Sequence, residues 1–238
     1  MLAALDAYAT LGLLAGALSS GFWTLTYLLI IRQGRRDRTY GMPLPALGAN
    51  LSWELIFLVV TLAHGALDAR LAMLLPWTLL EVGIVAQCLR YGRDEFSHPL
   101  IVRHWPLVVA GTIALAFAIV LAVVIAVDDA IGWYAAFGQN LMMSILFVAM
   151  LLRRRSLRGQ SMAIAISKLL GTLFAFVLAL GWSPPTLHAH WDTLVPDRYT
   201  PISPVIAALY AGIFAFDVIY LVLVRRVARS HRLTAAAP

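Results

Sequence analysis

Three carboxylic acids, Glu54, Glu81 and Asp217, stand inside long apolar stretches of the 238-residue chain, each near the middle of its stretch. An ionised carboxylate at mid-membrane costs about 2.5–3.5 kcal/mol, so three together would cost roughly 7–10 kcal/mol. A carboxyl group taken out of water favours its neutral form, and a neutral acid in a dry pocket is a candidate Brønsted acid. Helical spacing adds neighbours. Asn50 lies four residues before Glu54, with Phe57 and Thr61 continuing that face, and an amide one turn away can orient a carboxyl group. Trp77, Thr78 and Cys88 share a face with Glu81, and Tyr210, Phe214 and Tyr220 share one with Asp217. Trp53 adjoins Glu54, while Trp23 and Tyr27 stand in the first apolar stretch. Aromatic faces attract cations, by about 2 kcal/mol or more when dry. Acids among aromatic walls suit a reaction that makes a carbocation by proton transfer. On this reading Glu54, Asp217 and Glu81 are catalytic, and Asn50, Trp53, Trp23, Tyr27, Trp77, Tyr210, Phe214, Tyr220 and Lys168 bind the substrate. The structural alternative is that the acids join helices through hydrogen bonds or ion pairs, and that the aromatic residues pack or anchor at the interface. Lys168 is read first as snorkelling to the interface, with pairing to Asp217 or to a polar group of a substrate as the sharper alternative.

Such residues need helices to hold them. The chain is 61% hydrophobic and only 13% charged, with mean hydropathy +0.84, which excludes both a soluble domain and a disordered one. Seven stretches are long enough to cross a bilayer: 7–31, 44–66, 71–89, 106–127, 131–152, 162–182 and 203–224. The expected fold is an all-α membrane protein, a single domain over 1–238 forming a seven-helix bundle. Fifteen arginines follow the first, third, fifth and seventh spans, against Arg70 and Arg198 on the other side. That asymmetry predicts an outside N-terminus and a cytoplasmic C-terminus. The net charge of +6 is a product of this topology and implies no nucleic-acid partner. The first span lacks a basic leader and reads as a retained helix. Seventeen arginines to one lysine suggest a bacterial source, hence a bacterial cytoplasmic membrane.

Several chemistries are missing from the sequence. One cysteine, Cys88, excludes a disulfide framework, a zinc finger and an iron–sulfur cluster. The histidines at 64, 98, 104, 188, 190 and 231 fall at helix ends or in loops, which argues against a haem or metal oxidase. The last span has no lysine for a retinal Schiff base, and no glycine-rich nucleotide loop occurs. Asp128–Asp129, followed by Ala130, Ile131 and Gly132, is not an aspartate-rich motif for magnesium diphosphate. No metal and no cofactor is expected.

Longer motifs point to a family. The run Asp37-Arg-Thr-Tyr-Gly-Met-Pro-Leu44, continuing through Asn50 to Trp53-Glu54, resembles the second-helix signature of the transmembrane terpene cyclases of meroterpenoid and indole-diterpene biosynthesis, the paspaline and pyripyropene type. Arg155-Ser-Leu-Arg-Gly-Gln-Ser161, with Leu169 to Gly171 after it, resembles the loop between their fifth and sixth helices. Ala215-Phe-Asp217-Val-Ile-Tyr220 resembles their last helix, and Gln139 and Ser144 match polar positions of the fifth. The resemblance implies a seven-helix enzyme that cyclises a linear prenyl chain already attached to another group, with no metal and no release of diphosphate. It maps the family's essential glutamate and aspartate onto Glu54 and Asp217. It also implies initiation at a terminal epoxide in fungal members and at a terminal alkene of farnesylated indoles in some bacterial ones. Glu81 stands where the family is expected to carry aspartate.

The expected activity is therefore a proton-initiated, metal-independent cyclisation of a prenyl chain, typically farnesyl, on an aromatic or indole-type group. Glu54, oriented by Asn50, delivers the proton, Asp217 shares or relays it, and Glu81 supports. The expected partners are that small prenylated molecule, membrane lipid and, functionally, an upstream prenyltransferase. The rival is a small proton-coupled transporter of a lipophilic compound, which would use buried acids and seven helices equally well. No inverted repeat or pair of broken helices supports it.

Overall fold

A computed structural model describes residues 2–64, 69–181 and 203–235. His188 and His190 lie outside the described residues. The helices are α1 (Leu2–Asp37), α2 (Leu44–Ala63), α3 (Ala69–Tyr91), the short α4 (Pro99–Arg103), α5 (Trp105–Ala126), α6 (Trp133–Arg154), α7 (Met162–Gly181) and α8 (Pro204–Ala235). A 3₁₀ turn, Gly92–Glu95, follows α3. All but α4 are long and apolar enough to cross a membrane. For α2, α3, α5, α6 and α7 the boundaries agree with the hydropathy spans to within three residues. The outermost two differ. Helix α1 runs on to Asp37 and α8 to Ala235, so most of the first basic run and all of the last lie on helical extensions, not in loops. Arginine in a final turn is favourable there, because it opposes the negative end of the helix dipole.

Six of the spans close a ring. Helix α1 packs on α7, α7 on α8, α8 on α6, α6 on α2, α2 on α3, and α3 returns to α1. Helix α5 lies outside this ring, mainly against α2. Composition explains the arrangement. The α5 span has a mean hydropathy of 2.9 and is only 17% buried, whereas the α2 span has 1.7 and is 67% buried. A helix apolar on every side can face lipid throughout, while one carrying Asn50, Ser52, Glu54 and Thr61 must turn those groups inward. Gly48 permits the close contact between the two, since a Cβ there would lie 3.2 Å from the Ala116 Cβ and 3.4 Å from the Thr112 carbonyl oxygen.

The arginine-rich end is clasped by the two loop motifs. Thr39 Oγ1 donates to Glu95 Oε1 at 2.5 Å, and Arg154 Nε donates to Glu95 Oε2 at 3.0 Å. Arg154 also donates to the Tyr40 carbonyl at 3.0 Å and lies over the Tyr40 ring. From the facing loop, the Gly159 N–H donates to Asp37 Oδ2 at 2.8 Å. Gly159 has φ +71°, and a Cβ there would sit 2.8 Å from the Tyr40 carbonyl oxygen, so both conformation and space call for glycine. The segments 37–44 and 155–161 thus set where α2 and α7 enter the bundle, and with that the depth of their polar residues.

Candidate active site

The ring encloses a polar interior to which every one of its six helices contributes. Buried polar groups come from α1 (Tyr27), α2 (Asn50, Glu54), α3 (Glu81), α6 (Gln139, Asn140, Ser144), α7 (Lys168, Thr172) and α8 (Asp217, Tyr220). They form two centres.

The first centre joins Glu54 and Glu81 through one amide. Asn50 Nδ2 lies 3.2 Å from Glu54 Oε1, 2.9 Å from Glu81 Oε1 and in close contact with the Tyr27 hydroxyl. The Tyr27 hydroxyl donates to Glu54 Oε1 at 2.9 Å. Gln139 Nε2 holds the Asn50 carbonyl oxygen at 3.3 Å, which turns the amide nitrogen toward the acids. Both carboxyl groups are fully buried. In each, Oε1 receives the neighbours' hydrogens while Oε2, equally buried, has no hydrogen-bond partner among the described residues. No cation reaches this centre through any contact described. Trp77 and Trp23 meet the Tyr27 ring edge-on, with centroids 6.1 and 6.2 Å away, and Trp77 is held by a bond from its indole nitrogen to Thr24.

The second centre is an ion pair. Lys168 Nζ lies 2.7 Å from Asp217 Oδ1 and donates to Ser144 Oγ at 2.7 Å, and both charged groups are almost wholly enclosed. Ser144 in turn donates to the main-chain carbonyl of Asn140, one turn earlier on α6, at 2.9 Å, and Asn140 Nδ2 donates to Thr172 at 3.0 Å. Lys168 Nζ stands 5.8 Å from the Trp23 ring centroid, so one indole separates the two centres. Gly171 makes room for that indole, since a Cβ there would fall 2.9 Å from the Trp23 ring. Tyr220, one turn from Asp217, is buried against Phe147.

Two expectations are corrected here. Lys168 does not snorkel: its amine stays inside the bundle because Asp217 and Ser144 together offer it better partners than the interface. Asp217 does not share a proton directly with Glu54: among the described residues no hydrogen bond joins the two, and Asp217 has a cation of its own, which leaves the relay as the remaining alternative. Trp53 adjoins Glu54 in sequence but donates from its indole nitrogen to the Gly132 carbonyl at 2.8 Å and packs on Phe57, so it braces the turn between α5 and α6. Tyr210 and Phe214 join Phe137 and Phe176 in an aromatic cluster on α6, α7 and α8, with Tyr210 centroids 4.4 Å from Phe137 and 4.5 Å from Phe176. The residues that the search for acids overlooked are Asn140 and Thr172. The signal for Asn140 was a polar cluster, Gln139, Asn140 and Ser144, inside an otherwise apolar span; Thr172, on α7, had none.

A ring of membrane helices closed around a hydrogen-bonded carboxyl pair defines a membrane enzyme capable of acid chemistry on an apolar substrate. The chain belongs to the Pyr4-like transmembrane terpene cyclases, whose family profile matches residues 7–230. It is 31% identical over 199 residues to the Pyr4-family terpene cyclase mfmH of Annulohypoxylon moriforme, covering 82% of this chain and 75% of that one. It is 29% identical over 218 residues to the terpene cyclase pyr4 of Aspergillus fumigatus, covering 88% and 84%. The terpene cyclase terB of Tolypocladium album is 33% identical over 168 residues, covering 67% and 68%. All three relatives are fungal, so they lend nothing to a bacterial membrane. Family membership makes the chain an integral membrane cyclase and leaves the transporter reading without support.

Proposed function

We propose that this protein cyclises a linear prenyl chain, of farnesyl length and attached to an aromatic or indole-type group, by protonating its terminal alkene or epoxide from Glu54. The observation that carries the reading is the division of labour within the Glu54 carboxyl group. Oε1 is occupied by Tyr27 and Asn50, while Oε2 has no partner and is the oxygen on which a transferable proton would sit. As the proton leaves, charge develops on a carboxylate that already faces two preorganised donors, which stabilises the conjugate base more than the acid. A bare neutral carboxyl group is a weak donor toward an alkene, and these bonds strengthen it. Glu81, held by the same Asn50, supports the pair.

The proton adds to the terminal carbon or to the epoxide oxygen, and the cation so formed is attacked by the next double bond until loss of a C–H proton ends the sequence. The reaction is an isomerisation, without diphosphate release and with no step that calls for a metal. Trp23 and Trp77 would shield the cation from water and stabilise it through their ring faces. A reaction that attaches the prenyl chain, a prenyl transfer, must supply the substrate. We place the arginine-rich end in the cytoplasm, by the charge asymmetry of the loops, and the protein in the cytoplasmic membrane of a bacterium, by its arginine-over-lysine bias.

The test is to incubate membranes containing the protein with farnesylated indoles and with epoxyfarnesyl-bearing aromatic compounds, and to look for a product of equal mass and changed retention. Glu54→Gln keeps the shape and the acceptor oxygen but has no acid proton, and it is expected to abolish product formation. A folded Glu54→Gln protein that cyclises at the wild-type rate rules the assignment out.

A further inference from the structure

A reaction that begins with a proton given must end with a proton taken, and the acceptor must be ready before the cation arrives. Three requirements limit the choice. The acceptor must lie inside the ring, it must have an open lone pair, and it must not be bonded to Glu54, where it would compete for the starting proton. Glu81 fails the last, because the one Asn50 amide bonds to both carboxyl groups and links it to Glu54. Asp217 meets all three. It is buried, its Oδ1 is taken by Lys168 at 2.7 Å, and its Oδ2 has no partner among the described residues. No hydrogen bond among the described residues joins it to Glu54, and the Trp23 indole approaches both its partner Lys168 and Tyr27 of the first centre.

Charge balance makes Lys168 a requirement for this step. Before the reaction the interior holds neutral Glu54 and the Lys168–Asp217 pair, with no net charge. After protonation it holds the Glu54 carboxylate, the substrate cation and the same pair, again without net charge. After the final step it holds the Glu54 carboxylate, neutral Asp217 and the Lys168 ammonium, which also balance. Without the ammonium each of these stages would carry one uncompensated negative charge in a dry bundle.

Resting on the cyclase reading above, we propose that Lys168 holds Asp217 as a carboxylate whose free Oδ2 removes the terminating proton. The C–H bond breaks, its electron pair becomes the new double bond, and the proton passes to Oδ2. Returning the enzyme to its starting state moves one proton from Asp217 back to Glu54 before the next turnover. Lys168 acts through Asp217 and is a positioning residue, while Asp217 touches the reacting C–H.

The experiment has two arms on full-length protein in membranes. The first is infrared difference spectroscopy without substrate. Asp217→Asn is expected to remove a carboxylate stretch and no protonated-carboxyl band. Lys168→Met is expected to gain a protonated-carboxyl band that the double variant Lys168→Met/Asp217→Asn lacks, and Lys168→Arg is expected to keep the wild-type spectrum. Loss of a protonated-carboxyl band in Asp217→Asn overturns the proposal, as does an unchanged spectrum in folded Lys168→Met. The second arm uses farnesylated indole. Asp217→Asn and Lys168→Met are expected to consume substrate but to form the wild-type alkene at least tenfold less, with partly cyclised or water-captured products in its place. Lys168→Arg is expected to restore the wild-type product. Asp217→Asn that consumes substrate no better than Glu54→Gln, or that keeps the wild-type product ratio, overturns the proposal. If wild-type protein turns over no prenylated substrate, the cyclase reading fails, while the infrared arm still decides the charge on Asp217.

Discussion

Glu54 and Asp217 are both buried carboxyl groups in mid-helix, and a single indole separates their surroundings, yet those surroundings differ in kind. Glu54 is met by a phenol, an amide and a second carboxyl group. Asp217 is met by an ammonium ion. Two enclosed acids with no cation beside them favour a stored proton, because each anion would be desolvated and a pair of carboxylates would repel. A cation at 2.7 Å favours the anion. On the mechanism proposed above, the same residue chemistry gives a proton from α2 and takes one on α8. A third carboxylate, Glu95 at the arginine-rich end, shows the purely architectural use of such a group, since its partners Thr39 and Arg154 fasten loops together.

The sharpest way to break the contrast is to remove the stored proton. Glu54→Gln should lower turnover by about 10²–10⁴-fold, the usual contribution of a general acid. Its melting temperature should stay close to wild type, because an amide can still accept from Tyr27 and Asn50. Equal activity in a folded Glu54→Gln protein would make the first centre structural. Removing the cation instead tests the other side. Lys168→Met should cost about 3–5 kcal/mol of stability, since it leaves an enclosed carboxylate without its partner. Replacing both partners with apolar residues, as in Lys168→Met/Asp217→Leu, should recover much of that loss in a detergent melt. No recovery would mean that Lys168 is retained for its packing alone.

The sequence alone made the acids conspicuous because a charge in a membrane span is costly and rarely idle. It also made the seven spans legible, since hydropathy reads length and polarity directly. What it hid was pairing. Lys168 lies within stem length of the interface and within reach of a neighbouring helix, and only its bonds to Ser144 on α6 and Asp217 on α8 decide between them. Trp53 misled because adjacency in sequence is a turn of about 100° on a helix, which aims neighbouring side chains at different helices. Asn140 and Thr172 stayed hidden for a related reason, because a small polar residue in a span is informative only once its partner across the interface is known.

A finer test of the first centre replaces its shared amide. Asn50→Leu should lower turnover by about 10²-fold, comparable with losing one preorganised donor at a developing anion. It should also cost about 1–3 kcal/mol, because acceptor oxygens of both glutamates lose a donor in a place water does not readily reach. Asn50→Asp keeps the shape and adds a third acid to the cluster. It should be worse than leucine for turnover if donation by the amide is what matters, and better if the site merely needs polarity there.

The smallest expected effect falls on Trp53, and it separates residues that bond to the acids from those that only flank them in sequence. Trp53→Phe deletes the indole N–H that reaches the Gly132 carbonyl while keeping a ring to pack on Phe57. That carbonyl also receives the Ala136 N–H at 2.9 Å, so it is not left bare. The loss should stay near about 0.5 kcal/mol, the low end for a neutral hydrogen bond. Turnover and KM should remain within about twofold of wild type, well under the tenfold that 1.4 kcal/mol represents. A tenfold rise in KM with unchanged stability would instead bring Trp53 into the substrate's path, on the side of α2 that faces α5.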